Sequence, residues 1–198
     1  MHEEDLRAAL ASDLDGTFER LVLAYQGRLY AFALRLTGRR EDAEEIAQDA
    51  FVRAYRALAA YPAERIACLA LRAWLFQITV NVARNRRRKP GINTVSLDGD
   101  GSEAVFAEPE DDERTRPEAL AERGETARTL AAELAALPDR YRAAVVLRHV
   151  EGLGYAELAG VLGQPVGTVK ANVHRGVLLL RKALAPRMET SETLAEVR

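Results

Sequence analysis

The sequence predicts an all-α fold of two small helical domains joined by a flexible linker. Three observations carry this. Apolar residues recur at helical spacing through most of the chain, and no alternating polar–apolar run of strand length occurs. Between the periodic stretches, residues 91–116 hold Gly, Asp, Ser, Glu and Pro with few large apolar side chains, too little to offset the entropy of ordering them. A length of 198 residues with 48% hydrophobic content suits one large or two small globular domains.

The first domain, over residues 12–90, is expected to be a bundle of three to four helices. Phe18, Leu21, Val22, Tyr25, Leu29, Phe32 and Leu36 form one stripe, and Gly38 ends that helix. The next runs over 40–60 with Ala43, Ile46, Ala47, Ala50, Phe51, Ala54 and Leu58 inward. Its first turn carries Glu41, Asp42, Glu44 and Glu45, which suit the positive end of a helix dipole. Tyr61-Pro62 breaks it and a loop follows. A third helix over 69–88 is expected to bury Leu71, Trp74, Leu75, Ile78 and Val82 before Pro90-Gly91 stops it. The second domain, over 117–187, begins with a helix marked by Leu120, Leu130, Leu134 and Leu137. Pro138 opens another that buries Tyr141, Val145, Leu147 and Val150. After Gly152 and Gly154 come a short helix over 155–162, a turn at Gly163-Gln164-Pro165, and a last helix from 166 to about 185. Residues 188–198 form a short tail.

Net charge is −2, from 28 Lys plus Arg against 30 Asp plus Glu, and the mean hides the pattern. Residues 66–97 contain no acid but six basic groups, Arg72, Arg84, Arg86, Arg87, Arg88 and Lys89. Residues 164–188 again contain no acid and carry Lys170, Arg175, Arg181, Lys182 and Arg187, while residues 91–125 hold eleven acids and three arginines. Such zoning points to nucleic acid at two places. The lone Cys68 makes no internal disulfide and a reducing cytoplasm fits; on the edge of an apolar helix it is expected to be buried and inert, with a redox role as the alternative. No run approaches the roughly 20 apolar residues that span a bilayer, and the acidic start is unlike a secretory signal. The scattered His2, His149 and His174, with no metal-ligand spacing, no phosphate-binding glycine loop and no nucleophile elbow, argue against a metal, a cofactor or catalysis.

Residues 155–181 read as a helix-turn-helix. Leu158, Ala159 and Leu162 of the first helix and Val166, Val169, Val173 and Val177 of the second face inward, so Thr168, Ala171 and Arg175 face outward with Lys170, Asn172 and His174 beside them. Phosphates take cations and hydroxyl donors, and base edges take Arg, Lys, Asn or Gln. A hairpin that only packs is the bland alternative, disfavoured by the acid-free outward face. On the third helix of the first domain, Gln77, Asn81, Arg84, Asn85 and Arg88 make a second polar stripe, expected on the side away from Trp74 and Ile78. Tyr61, in the loop before it, offers a platform on which an unstacked base can rest. On the second helix Glu45, Gln48, Asp49 and Arg53 form a mixed polar face that composition alone leaves as solvated surface.

Asp42-Ala43-Glu44-Glu45-Ile46-Ala47-Gln48-Asp49-Ala50-Phe51 and Arg72-Ala73-Trp74-Leu75-Phe76-Gln77-Ile78 with Asn81 resemble region two of bacterial sigma factors. Leu137-Pro138-Asp139-Arg140-Tyr141-Arg142, Glu151-Gly152-Leu153-Gly154-Tyr155-Ala156-Glu157-Leu158-Ala159 and Gly167-Thr168-Val169-Lys170 resemble region four. With only a linker between, the layout is similar to the extracytoplasmic-function (ECF) class of the sigma-70 family. The resemblance implies that the Glu45, Gln48, Asp49 and Arg53 face docks on the β′ clamp of core RNA polymerase. It implies that Tyr61 and the stripe from Gln77 to Arg88 recognise the −10 element and hold a flipped base. It further implies that region four, through Thr168, Lys170, Asn172, His174 and Arg175, reads the −35 element while touching the β flap, and that the acidic linker runs toward the RNA exit path. An anti-sigma partner is commonly implied too. Pro165 stands where the family commonly has Ser, leaving Gln164 as a poor N-cap. A stand-alone helix-turn-helix regulator explains residues 155–181 but leaves the first domain without a role.

Overall fold

The computed structural model describes the backbone of residues 3–88 and 117–195 and the side chains of 3–87 and 127–185; the linker expected at 91–116 lies outside them. Among the described residues every regular element is helical.

Asp13 starts the long helix α2 (Leu14–Thr37), its extended backbone placing Oδ1 3.0 Å from the Gly16 N–H that the first turn cannot otherwise satisfy. Gly38 ends it in the left-handed region at φ 73°, its N–H donating to Leu34 O. That turn sends α3 (Arg40–Ala59) back along α2, and the alanine-rich face expected of α3 is buried throughout. The loop after Pro62 contains a short helix, α4 (Ala63–Ala67), followed by α5 (Leu71–Arg88). Phe32 and Phe76, both fully buried, meet edge to face with ring centroids 5.1 Å apart where α2 and α5 cross.

Sequence reasoning missed α1 (Glu3–Ser12), which offers only Leu6 and Leu10 as anchors. One turn apart, both are buried against α2 and α4, and ten residues this short draw their helicity from that packing. The acids that argued against a signal segment, Glu3, Glu4 and Asp5, sit in the first turn of α1. Glu3 also reaches α5, accepting from the Arg72 N–H at 3.4 Å, one of the donors that a helix start leaves unpaired. Cys68 is exposed between α4 and α5, contrary to the expectation of burial, because the chain is turning there rather than running along an apolar helix face.

In the second module α6 (Pro117–Ala136) leads to α7 (Asp139–Val145), a π-turn (Val146–Val150), α8 (Tyr155–Leu162) and α9 (Val166–Ala195). The π-turn corrects one expected core position. Glu151 N–H reaches back five residues to Val146 O, which rotates the register, so Val146 and Leu147 are fully buried and Val150 is 49% exposed. Val166, expected inward, is exposed because it is the first residue of α9, while Val169 and Val173 are buried as expected. Gly163, at φ 63°, makes the sharp turn between α8 and α9. At Gly176 the backbone of α9 lies so close to α7 that an added Cβ falls 2.5 Å from Val145 Cγ2. Gly176→Ala is therefore expected to lower stability by about 1–3 kcal/mol despite alanine's better helix propensity, since α7 and α9 must part. A chemical melt with a midpoint equal to or above the parent's contradicts this close packing.

Candidate nucleic-acid and polymerase faces

The face of α5 that the core does not use follows from 100° per residue. Leu71, Leu75, Phe76, Thr79, Val80 and Ala83 converge on the buried side, and the Thr79 hydroxyl satisfies itself by donating to Leu75 O at 2.9 Å. Trp74 and Ile78, expected in the core, are only half-buried. They share the face of Gln77, Asn81, Arg84 and Asn85, since residues 74, 78, 81 and 85 are spaced by four, three and four. The stripe is thus bordered by an indole that sequence reasoning assigned elsewhere. Trp74 lies 6.1 Å from the Tyr61 ring at a 53° tilt. The Arg65 guanidinium sits 3.7 Å from the Tyr61 centroid, covering one face of the expected platform. Asn81 and Asn85 are exposed; the side chain of Arg88 lies outside the described residues.

Two members of this stripe are engaged by the second module. Gln77 Nε2 donates to Gly160 O at 3.1 Å and Arg84 donates to Leu162 O at 3.2 Å, both acceptors being carbonyls of the last turn of α8. The modules meet further along the same seam. Arg28 pairs with Glu151 at 2.9 Å, Arg87 pairs with Asp139, and Arg87 and Arg142 donate to Leu36 O at 2.6 and 2.7 Å. Leu36 O belongs to the last turn of α2, whose carbonyls have no partner within the helix, so guanidinium groups suit it both as donors and as charges. Arg142 also donates to Leu137 O and Ala135 O at the end of α6; burial pushes its pKa below the ordinary arginine value.

On α3, Glu45, Gln48, Asp49 and Arg53 all reach solvent. Arg53 pairs with Asp49 one turn away at 2.9 Å, and Glu45 pairs with Arg86, which also reaches Asp42. The face is ordered by these pairs and exposed.

On α9, Thr168, Lys170, Ala171, His174 and Arg175 are exposed as expected. Asn172 is not: it is 8% exposed and its Nδ2 donates to Gln164 Oε1 at 3.0 Å. Position 172 falls one residue before the buried Val173, so it turns under the helix, and Gln164, with Pro165 opening α9, serves as its acceptor rather than as a cap. Lys170 and Arg148 lie over the Tyr155 ring, 5.5 and 4.8 Å from its centroid. Arg175 and Arg140 donate to the Tyr141 hydroxyl, and these hydrogen bonds, Arg175's foremost, lower the Tyr141 pKa from its ordinary value. Tyr141 thus holds Arg175 in place. Sequence reasoning saw Tyr141 only as core, because its partner is 34 positions away. No group of His, Cys, Asp and Glu among the described residues could hold a metal ion, and no helix among them is long and apolar enough to cross a membrane.

An all-helical chain whose last module is a helix-turn-helix with a cationic, acid-free outer face belongs to the class of helix-turn-helix DNA-binding proteins. Comparison with known proteins narrows the class. The family Sigma-70 region 2 matches residues 21–91, and Sigma-70, region 4 matches residues 127–180. The chain is 33% identical over 174 residues to the RNA polymerase sigma-H factor of Pseudomonas aeruginosa, covering 85% of this chain and 86% of that one. It is 32% identical over 170 residues to the ECF RNA polymerase sigma factor SigW of Bacillus subtilis, covering 84% and 88%. Its structure superposes with a TM-score of 0.63 and 26% identity on the sigma factor RpoE of Bartonella quintana, solved in complex with the anti-sigma factor NepR, covering 85% of this chain and 96% of that one. The chain belongs to the ECF class of the sigma-70 family and is an RNA polymerase sigma factor.

Proposed function

We propose that residues 12–90 bind core polymerase and the −10 element, that residues 117–187 bind the −35 element, and that the acidic segment 91–116 mimics nucleic acid on the way to the RNA exit path. The observation that carries this reading is the separation of three surfaces by charge. An ordered mixed face on α3, an amide and guanidinium stripe on α5, and a cationic face on α9 each occupy a different helix. Glu45, Gln48, Asp49 and Arg53 dock on the β′ clamp. Tyr61, Gln77, Asn81, Arg84, Asn85 and Arg88, joined by Trp74, take the −10 strand; flipping a base costs a few kcal/mol, which stacking and a fitted pocket offset. Thr168, Lys170, His174 and Arg175 contact the −35 duplex, with the β flap beside them. The chain has no catalytic step of its own, since the polymerase supplies the chemistry, and it works in the cytoplasm. An anti-sigma factor is its expected regulator, as in the Bartonella complex.

The α3 assignment is tested by replacing Glu45, Gln48 and Asp49 with alanine. Each loses a polar or charged contact with the clamp of about 1 kcal/mol, so affinity for core polymerase is expected to fall about tenfold or more, with helical content retained. Unchanged affinity in a binding titration removes the face from the account.

A further inference from the structure

We infer that Arg140 of α7 and Arg175 of α9 form a two-guanidinium clamp for one phosphodiester of the −35 duplex, so that the second module grips DNA beyond its helix-turn-helix. The inference rests on the reading of α9 given above. Arg140 lies ahead of the helix-turn-helix, in the first turn of α7, and its Nη2 donates to the Tyr141 hydroxyl at 2.9 Å. Arg175, which shares the outward row of Thr168 and Ala171, donates to the same oxygen. Two like charges are thereby drawn onto one neutral acceptor. Their mutual repulsion is relieved when an anion binds between them, and a phosphate carries both the charge and the acceptor oxygens to do it.

The scaffold brings the two arginines together. The Tyr141 ring is buried, and the Arg140 guanidinium covers it at 4.6 Å from the centroid. Gly176, next to Arg175, has no side chain to hold α9 away: an added Cβ there falls 3.3 Å from Tyr141 Cβ. Among the described residues neither guanidinium is ion-paired, and the carboxylate next in sequence, Asp139, is taken by Arg87 and lies 3.7 Å from Arg142. Arg140 and Arg175 both stay exposed. Each keeps further N–H donors after the phenol oxygen has accepted one, and planar guanidinium forks match the oxygens of a phosphate. The place suits such a contact. Residues 168, 171 and 175 line the face that enters the major groove, whose walls are phosphate; Arg175 ends that row, and Arg140 stands beside it.

The test uses the full chain with core polymerase on a duplex promoter selected by run-off transcription. Arg140→Ala is expected to bind that duplex about fivefold less tightly, by the same factor whether the −35 bases are matched or altered. The slope of log affinity against log salt should fall by about 1, the mark of one lost phosphate contact. Uncharged methylphosphonate linkages, placed singly along both strands of the −35 element, locate the contact. The parent should lose about fivefold at one linkage or two neighbouring ones, where Arg140→Ala loses nothing more. Tyr141→Phe, which keeps the ring and removes the shared oxygen, should weaken binding by the parent and leave an Arg140→Ala, Arg175→Ala chain unaffected, a coupling that a merely structural tyrosine does not show. Should Arg140→Ala fail to fold, Arg140→Gln repeats the measurement with the charge removed and a donor kept. Parent-like affinity and salt slope in the Arg140 variant, or one methylphosphonate pattern for both chains, overturns the clamp. Inorganic phosphate at constant ionic strength should leave the parent's promoter affinity unchanged; competition that vanishes in Arg140→Ala makes the pair a site for the free ion and overturns the DNA assignment. Arg175→Ala separates the two readings. If it and altered −35 bases both leave affinity unchanged, the −35 reading of α9 falls; if they lower it and Arg140→Ala does not, the clamp alone falls.

Discussion

Replacing Trp74 and Asn81 together by alanine is expected to cut transcript yield about a hundredfold while core-polymerase affinity stays at the parent's value. The two side chains sit on one face of α5, a turn or two apart, one offering a ring and the other an amide. Stacking of an unpaired base on an aromatic is worth about 1–3 kcal/mol, and a well-placed amide contact to a base edge about the same. Loss of both reaches two orders of magnitude at about 2.8 kcal/mol, in the lower half of their summed range. The single variants divide the effect. Asn81 is exposed, so Asn81→Ala should leave stability within about 0.5 kcal/mol and lower initiation about tenfold. Trp74 is half-buried against Tyr61, so Trp74→Ala adds a modest loss of stability that a thermal melt will show. If the double variant loses polymerase binding to the same degree as transcription, α5 acts through the fold of the module and not through DNA.

The largest stability effect is expected at Phe32→Ala. Phe32 is fully buried at the crossing of α2 and α5 and meets Phe76 edge to face. Truncating a buried phenylalanine costs about 3–5 kcal/mol through lost burial and the void left behind. Small domains hold only about 5–15 kcal/mol in all. A midpoint drop of roughly 15 °C or more is expected by calorimetry, given about 4–8 °C per kcal/mol for a module of this size. Phe18→Ala, at a partly buried position on the same helix, should cost clearly less. Equal drops for the two would mean that the α2–α5 crossing is not the centre of the first module.

Much of this architecture was legible beforehand, and the failures have physical reasons. The stripe of α3 was readable because its inward residues are nearly all alanine, isoleucine and phenylalanine at strict helical spacing, and all are buried. The boundaries of α8 were readable from Gly154 and Gly163. The apolar character of Trp74 and Ile78 points to the core, but their own spacing puts them with Asn81, and an indole beside an amide stripe is itself the signal. Val150 was misplaced by a π-turn, which adds a residue to the turn without any mark in composition. The chemistry of Asn172 suggests an outward side chain, whereas its neighbour Val173 and a partner eight residues back, Gln164, draw it under α9. The two hydrogen bonds from α5 to α8 are illegible in the sequence altogether. Their acceptors at Gly160 and Leu162 are backbone carbonyls, which every residue possesses, so no side-chain pattern announces them.

The central claim is that two helical modules select a promoter together while bound to the polymerase. Run-off transcription with core polymerase over a randomised promoter library tests it most directly. Starts confined to templates sharing two sequence elements at a fixed spacing, and absent when the chain is left out, are the predicted result. No starts with the chain present, or the same starts with and without it, would contradict the account.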